Sequence, residues 1–299
     1  GSGVSSFYHS QGFPLDFLRG RLAESWSLPD SNTIIFTLRR GVMWSGKPGV
    51  MESRELTAED VAYSYNRNLS SGNMLSFYAP FTTITATDKY TVEIKLSSWV
   101  PDWTWKIGTY RFYPYPRELV EAGASDWRNH RGVGTGPFLL DDFVEGVSVS
   151  YIRNDNYWQT ETIDGKEYEI PFIDRLVKTV IKDKSSQVAA LRTGKIDVYD
   201  VLEKKFVDSV KRSSPKIKMI ERAAERAWRI GMRLDVKPFD DLRVRRAMSM
   251  AIDREAFIKT IQGGKGEILN AEIHSGHTET FYTPLEKMPK EIQENFRKF

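Results

Sequence analysis

Two kinds of periodic segment alternate along this chain and restrict it to a mixed architecture of helices and strands. The segment YTVEIKL, Tyr90–Leu96, places an apolar or aromatic residue at every second position, which is the spacing of a strand with one buried face. The segment VSVSYIR, Val147–Arg153, repeats that spacing. Because segments with helical signals lie between and after these strands, we expect an α/β fold.

The segment LTAEDVAYSYNRNL, Leu56–Leu69, carries the most complete helix start in the sequence. Thr57 is a good N-cap residue, and Asp60 stands three positions later, as in a capping box. Leu56 before the cap and Val61 after it have the spacing of a hydrophobic staple. We therefore predict a helix that begins at Thr57.

A second α/β unit is predicted further along the chain. DRLVKTVI, Asp174–Ile181, is apolar enough for a strand buried on both faces. Ser185 is the predicted N-cap of a short helix that Gly194 ends, and KIDVYDV, Lys195–Val201, follows as a strand. A strand, helix and strand in this order predict a parallel pairing.

The last strongly patterned part of the chain combines one strand and one helix. AWRIGMRL, Ala227–Leu234, alternates as a strand does, and the segment after it is strongly helical. Asp240 or Asp241 is expected to cap this helix. Its apolar stripe consists of Val244, Ala247, Met248, Ala251 and Ile252.

Composition excludes several functional classes. With 40% hydrophobic and 28% charged residues, the 299-residue chain is globular in composition, and a formal charge of +3 does not favour nucleic acid as a partner. The absence of cysteine excludes disulfides, thiol catalysis and cysteine-bound metal. Nowhere does the sequence reach the ~20 apolar residues of a membrane-spanning helix.

The motifs that could carry catalysis or a cofactor fit structural roles better. Gly134 and Gly136 are followed by Pro137, which lacks the N–H that a phosphate loop needs, so we predict a turn that enters a strand. His274 and His277 stand three residues apart in a segment typical of a flexible loop, and we assign no metal there. No nucleophile with a neighbouring base is recognisable, so neither catalytic residues nor a cofactor are predicted.

A stretch rich in aromatic residues is the best candidate for ligand recognition. WVPDWTWKIGTYRFYPYP, Trp99–Pro116, contains three Trp, three Tyr, one Phe, one Lys and one Arg. Aromatic faces beside a guanidinium suit organic anions or peptide-like ligands. Packing of these rings within a small subdomain is the alternative interpretation.

Five ordered blocks of the sequence resemble one family, the extracytoplasmic solute-binding proteins of peptide- and nickel-type ABC importers, known as solute-binding family 5. The blocks are LAESWSLPDSNTIIFTLRRGVMWSG, LTAEDVAYSYNR, GTGPFLLDDFVEGVSVSYIRNDNYW, IDRLVKTVIKDKSSQVAALRTGKIDV and PFDDLRVRRAMSMAIDREAFI, which together run from Leu22 to Ile258. The match is specific because all five stand in the family's order.

The resemblance implies an α/β fold of the periplasmic-binding-protein type (type II), in which two lobes joined by a hinge close on a ligand. Carried onto this chain, residues 1–40 form the first part of lobe I, and residues 41–146 form an extra subdomain of that lobe. Residues 147–235 complete lobe I up to the hinge, and residues 236–299 begin lobe II. The family's opening strand and the rest of lobe II are expected to be missing.

The resemblance also implies which residues meet the ligand. IGTYRF lies where relatives bring an arginine and aromatic side chains to the cleft. We expect Arg111 to pair with an anionic group of the ligand. The expected walls are Tyr110, Trp105, Phe77 and Tyr78.

The function implied is the substrate-binding component of an ABC importer, which carries an oligopeptide or similar small solute to permease subunits. Such a protein acts in the periplasm or at the outer face of the cytoplasmic membrane, secreted or lipid-anchored. Two alternatives stay open at this point. One is a chaperone-like module that holds peptides without transport, and the other, less favoured, is a hydrolase.

Overall fold

The computed structural model describes residues 18–70, 79–108, 113–123, 132–220, 228–264, 266, 268, 283 and 285–297. The strands are β1 (Ala23–Asp30), β2 (Thr33–Leu38), β3 (Met43–Trp44), β4 (Arg54–Glu55), β5 (Phe81–Ala86), β6 (Thr91–Leu96), β7 (Phe138–Val144), β8 (Ser148–Arg153), β9 (Thr160–Ile163), β10 (Lys166–Glu169) and β11 (Arg175–Thr179). The α-helices are α1 (Ala58–Leu69), α2 (Trp103–Gly108), α3 (Arg117–Glu121), α4 (Lys184–Arg192), α5 (Lys204–Ser213), α6 (Leu242–Met250), α7 (Arg254–Thr260) and α8 (Lys290–Arg297).

The chain divides into two compact units, one within Ser10–Ile181 and one that begins at Lys182. The first unit contains all eleven described strands, and we call it the strand-rich unit. The second contains α4 to α8 and is called the helical unit. None of the helices in the described ranges has the length and apolar composition needed to span a membrane.

A four-stranded antiparallel sheet with the order β1-β2-β6-β5 organises the core of the strand-rich unit. Ile34 of β2 stands opposite Ile94 of β6, and both side chains are buried. The alternation predicted for β6 is confirmed, because Val92, Ile94 and Leu96 are buried. This sheet joins strands that lie on both sides of residue 40 in the sequence.

Helix α1 covers this sheet and begins where the sequence predicts. Thr57 is the N-cap, and its backbone N–H donates to the Asp60 carboxylate at 3.0 Å, which is one half of the capping box. Leu56 and Val61, the staple residues, are both buried in the core cluster. Local capping and the packing of one apolar face therefore fix the same helix start.

The prediction that Gly134 and Gly136 form a turn that enters a strand is confirmed, because β7 begins just after them. Ser45 N–H donates to the carbonyl of Gly134 at 3.0 Å, and Gly134 N–H donates to Ser45 Oγ at 3.1 Å. The amide of Asn154 donates to the carbonyl of Gly136 at 2.9 Å. The N–H of Gly134, a donor that a bound phosphate would need, is bonded to Ser45 instead, and the carbonyl groups of the turn link Ser45 and Asn154 to the start of β7.

The three-stranded sheet β11-β8-β7 corrects one prediction about burial. The segment Asp174–Ile181 does form a strand, but β11 lies at the edge of this sheet and pairs antiparallel with β8. Val177 is half exposed, whereas the sequence predicted burial on both faces. An apolar run does not determine how many neighbours a strand will have, and this one is an edge strand.

The helical unit corrects the predicted second α/β unit. Asp183 caps α4 by accepting from Ser186 N–H at 2.7 Å, so the cap stands two residues before the predicted Ser185. Gly194, with φ of +69°, follows the helix end as predicted. Lys195–Val201 does not form a strand, and every strand pairing among the described residues is antiparallel. Val198 and Val201 are exposed because no neighbouring strand within the described ranges covers them.

The predicted strand over Ala227–Leu234 is likewise absent, because residues 228–234 have no strand partner in the described part of the chain and Trp228, Ile230 and Leu234 are exposed. The single predicted helix after it is two helices. Asp241 caps α6 as predicted, and Asp253 caps a separate α7 by accepting from Ala256 N–H at 2.8 Å. The predicted stripe is only half buried at Val244 and Met248, and Ala247, Ala251 and Ile252 are exposed.

Candidate functional site

The ligand-contacting residues implied by the family resemblance fall mostly outside the described part of the chain. Phe77, Tyr78, Tyr110 and Arg111 lie outside the described residues. The backbone of Trp105 lies in α2, and its side chain is outside the described set. These five assignments stay predictions, but the structure describes the residues on both sides of the 109–112 segment.

The residues before that segment are held by the core of the strand-rich unit. Trp103, the first residue of α2, is buried and packs edge-on against Phe36 of β2 with ring centroids 5.9 Å apart. Its backbone N–H donates to the carbonyl of Val100 at 3.1 Å. Lys106 and Asp102, one turn apart, form an ion pair of 3.4 Å. The start of α2 is therefore fixed to the central sheet.

The residues after the segment are held by a single buried hydroxyl. Tyr115 N–H donates to Ser64 Oγ at 2.8 Å, and this hydroxyl lies 2.8 Å from the carbonyl oxygen of Tyr115 and 2.7 Å from that of Asp60. Ser64 is fully buried on α1. The Ser64 hydroxyl has one hydrogen, which the two carbonyl oxygens share, and a lone pair of its oxygen accepts the N–H of Tyr115.

A charged cluster joins three elements just beyond this point. The guanidinium of Arg54 in β4 donates to both oxygens of Asp60 in α1, at 2.7 and 2.9 Å, and to both oxygens of Glu118 in α3, at 2.7 and 2.8 Å. These bonds to Asp60 and Glu118 raise the pKa of Arg54, and the bond from Arg54 lowers the pKa of Glu118. Bidentate pairs of this kind constrain orientation as well as distance.

Both ends of the segment that contains Tyr110 and Arg111 are thus tied to one compact unit. Trp103 anchors the preceding helix, while Ser64 and Arg54 anchor Tyr115 and α3. Positioning from a packed core is what a preformed binding site requires. The sequence predicted the candidate segment but gave no indication of these anchors, because each joins residues far apart along the chain.

A cleft lined by other residues of the strand-rich unit was not predicted from the sequence. It has a volume of about 490 Å³, and the lining residues that matter to its chemistry are Glu59, Ala62, Tyr63, Asn66, Arg67, Ile84 and Arg117. We call it the Arg–Tyr cleft. A weak signal was present in the sequence, since Tyr63 and Arg67 are four residues apart and therefore neighbours on one face of α1.

The described residues contain no cluster of the kind that holds a metal ion. Within those ranges, no group of three or more His, Asp or Glu side chains is arranged to hold a metal ion. His274 and His277 lie outside the described residues. The buried carboxylate of Asp60 is fully used by Arg54, Trp44 and the start of α1.

Similarity to solved structures defines the class of fold. The oligopeptide-binding protein AppA from Bacillus subtilis, solved with a nonapeptide, matches with a TM-score of 0.69 and 21% identity over 93% of this chain and 54% of that one. The periplasmic binding protein DppA from Helicobacter pylori, solved with the peptide STSA, matches with a TM-score of 0.67 and 22% identity, covering 82% and 49%. The predicted fold class, α/β and periplasmic-binding-protein-like, is confirmed.

Sequence similarity defines the family. The profile of bacterial extracellular solute-binding proteins, family 5 Middle, matches residues 18–290, and the chain belongs to this family. Heme-binding protein A of Haemophilus influenzae is 27% identical over 265 residues, which are 82% of this chain and 46% of that protein. Di/tripeptide-binding protein 2 of Pseudomonas aeruginosa is 27% identical over 261 residues, 81% of this chain and 47% of that protein. The chain spans about half the length of these relatives.

Proposed function

We propose that this chain belongs to the substrate-binding component of an ABC importer, which captures an oligopeptide or similar small solute and delivers it to membrane permease subunits. The family match over residues 18–290 is the observation that carries the proposal. Relatives named as dipeptide-binding or di/tripeptide-binding proteins and neighbours solved with bound peptides support a peptide as the solute. We propose a site of action in the periplasm or at the outer face of the cytoplasmic membrane.

The proposed role is binding and release, without catalysis. Selectivity in such a site comes from apolar burial and a few charge-assisted hydrogen bonds. Lobe closure about a hinge would then couple occupancy to transport. The division into lobe I (residues 1–40 and 147–235), an extra subdomain (41–146) and the start of lobe II (236–299) is part of this proposal.

Arg111 is the residue we propose to hold an anionic group of the solute, with Tyr110, Trp105, Phe77 and Tyr78 as walls. The anchors described above support this choice, because they fix both ends of the segment around Arg111 to the packed unit. A guanidinium placed on such a segment loses less freedom on binding a carboxylate than one on an unanchored loop.

The test is a calorimetric titration of the protein expressed from its full reading frame. The panel contains dipeptides, tripeptides and octapeptides. It also contains heme and the nickel–histidine chelate, because one relative is a heme-binding protein and one structural neighbour was solved with Ni(L-His). We expect saturable peptide binding that weakens by about tenfold or more in Arg111→Ala, since a charge-assisted hydrogen bond is lost.

Arg40→Ala is the matched control, because Arg40 is an arginine of the same unit that stacks 4.9 Å from the ring of Tyr90. Saturable heme or chelate binding without peptide binding would overturn the proposed solute. Equal peptide affinity in Arg111→Ala and the unmodified protein would remove Arg111 from the site.

A further inference from the structure

Two arginine–tyrosine contacts hold the two arginines that line the Arg–Tyr cleft, and one of them involves Tyr115, a residue next to the lining set. The guanidinium of Arg117 lies 4.8 Å from the ring centroid of Tyr63, and that of Arg67 lies 5.8 Å from the ring centroid of Tyr115. Arg67 also donates to the hydroxyl of Tyr115 at 3.2 Å. The two tyrosine rings meet edge-on, with centroids 6.2 Å apart. Stacking on a ring holds a guanidinium in place and leaves N–H groups at its edge for another partner.

Neither arginine of the cleft forms an ion pair with a carboxylate within the ranges that the structure describes, although Arg117 lies near enough to Glu118 to contribute to its lowered pKa. Arg54 in the same unit binds two carboxylates. Glu59 lines the same cleft and forms no ion pair with either arginine. With Arg67, Arg117 and Glu59 on its walls, the cleft has an excess of one positive charge. This positive charge attracts an anion, and the negative charge of Glu59 disfavours an anion that carries several charges.

The remaining lining determines the kind of anion. Ala62 and Ile84 contribute apolar surface, and the amide of Asn66 is already engaged with the carbonyl of Ile84 at 2.6 Å. A volume of about 490 Å³ is large enough for a small organic ligand rather than a single inorganic ion. An apolar floor with guanidinium edges above it suits a molecule that combines one carboxylate with a short hydrocarbon body.

We propose that the Arg–Tyr cleft is a binding site for a small monocarboxylate, held by the guanidinium edges of Arg67 and Arg117 above an apolar floor at Ala62 and Ile84. Tyr63 and Tyr115 act as positioning residues, since they stack against the two guanidiniums. All of these residues belong to the strand-rich unit. None of the described residues of the cleft belongs to the set Arg111, Tyr110, Trp105, Phe77 and Tyr78 proposed for the transported solute.

Titration of the 299-residue chain with N-acetyl-L-leucine, followed by calorimetry and by tyrosine-region NMR shifts, tests the proposal. N-acetyl-L-leucine amide lacks the carboxylate and inorganic phosphate lacks the hydrocarbon body, so both should bind at least about tenfold more weakly. Arg67→Ala and Arg117→Ala should each weaken binding of N-acetyl-L-leucine about tenfold, because a charge-assisted contact is removed.

Arg67→Lys and Arg117→Lys keep the positive charge but lose the planar set of guanidinium N–H donors. Their affinities for N-acetyl-L-leucine should lie between those of the unmodified chain and the alanine variants. Arg40→Ala, which removes a stacked arginine outside the cleft, should bind as the unmodified chain does. Absence of saturable binding in the unmodified chain, equal binding of the amide, or equal loss in Arg40→Ala would each overturn the proposal. Phosphate binding as tight as that of the carboxylate would show a nonspecific anion site instead.

Discussion

The indole N–H of Trp44 donates to the carboxylate of Asp60 at 3.0 Å, and both side chains are buried. The same carboxylate accepts from Arg54 and from the backbone N–H of Thr57. One side chain therefore links β3, β4 and the start of α1. A buried carboxylate is stable only when its hydrogen-bonding capacity is filled, and here four donors fill it.

Asp60→Ala should strongly destabilise the strand-rich unit. The substitution leaves the indole N–H of Trp44 and the guanidinium of Arg54 without this partner, and breaking such a buried pair costs about 3 kcal/mol. Urea denaturation followed by tryptophan fluorescence measures the free energy of unfolding. Glu59→Ala, one residue away and exposed, is the control and should stay within about 0.5 kcal/mol of the unmodified chain. Similar losses in both variants would contradict a special role for Asp60.

Ser64→Ala should destabilise the chain and also weaken solute binding. The substitution leaves the backbone N–H of Tyr115 without its 2.8 Å acceptor in a partly buried environment, which costs about 1 kcal/mol. Ser97→Ala removes an exposed hydroxyl of the same unit and serves as the control in urea denaturation. If Ser64 positions the segment around Arg111, peptide affinity falls at temperatures where the variant is still folded. Unchanged peptide affinity would show that its role is limited to stability.

Protonation of Glu55 should make the free energy of unfolding depend on pH in the acid range. The hydrogen bond from Lys89, followed by that from Gly41 N–H, lowers the pKa of Glu55 from 4.5 to about 2. A lowered pKa in the folded state means that the contribution is present above the unfolded value and is lost as the pH falls from about 4.5 towards 2. Glu55→Gln should therefore lose less stability than the unmodified chain over this range.

The measurement for Glu55 is the urea midpoint at several pH values across that range, with Glu52→Gln as a control for removal of an exposed carboxylate. The effect will be modest, because Lys89 is largely exposed and solvent screens the pair. Added salt should reduce it further. A pH profile of Glu55→Gln that parallels the unmodified one would refute the assignment.

Local sequence signals correctly predicted a helix start that is capped by nearby residues and a strand whose buried residues alternate regularly. The start of α1 follows from Thr57 and Asp60, which are three residues apart, and β6 follows from its alternating residues. The strands predicted at Lys195–Val201 and Ala227–Leu234 failed for a common reason. Alternation specifies which side chains share a face, but a strand also needs a neighbour, and the described residues provide none there.

The candidate site residues also differ in how far the sequence could predict them. Composition identified the aromatic stretch Trp99–Pro116, and resemblance to a family then singled out the segment around Arg111 within it, whereas periodicity contributed nothing. The Arg–Tyr cleft depends on Arg117 stacking on Tyr63 and Arg67 on Tyr115, and those partners are distant in sequence. Only the fold brings these pairs together, and the one local signal, the spacing of Tyr63 and Arg67 on α1, could not indicate that a cleft exists.

Asp183 and Ser185 provide a direct comparison between the sequence prediction and the structure at the start of α4. The carboxylate of Asp183 accepts from the backbone N–H of Ser186 at 2.7 Å and from its hydroxyl at 2.8 Å, and these bonds lower the pKa of Asp183. Asp183→Ala removes the cap and should destabilise the helix measurably. Ser185→Ala, at the position that the sequence favoured, should cost a few tenths of a kcal/mol or nothing, because that residue lies inside the helix and is exposed. Thermal unfolding of the two variants, followed by far-ultraviolet circular dichroism, distinguishes them. A larger loss in Ser185→Ala than in Asp183→Ala would restore Ser185 as the cap and move the start of α4.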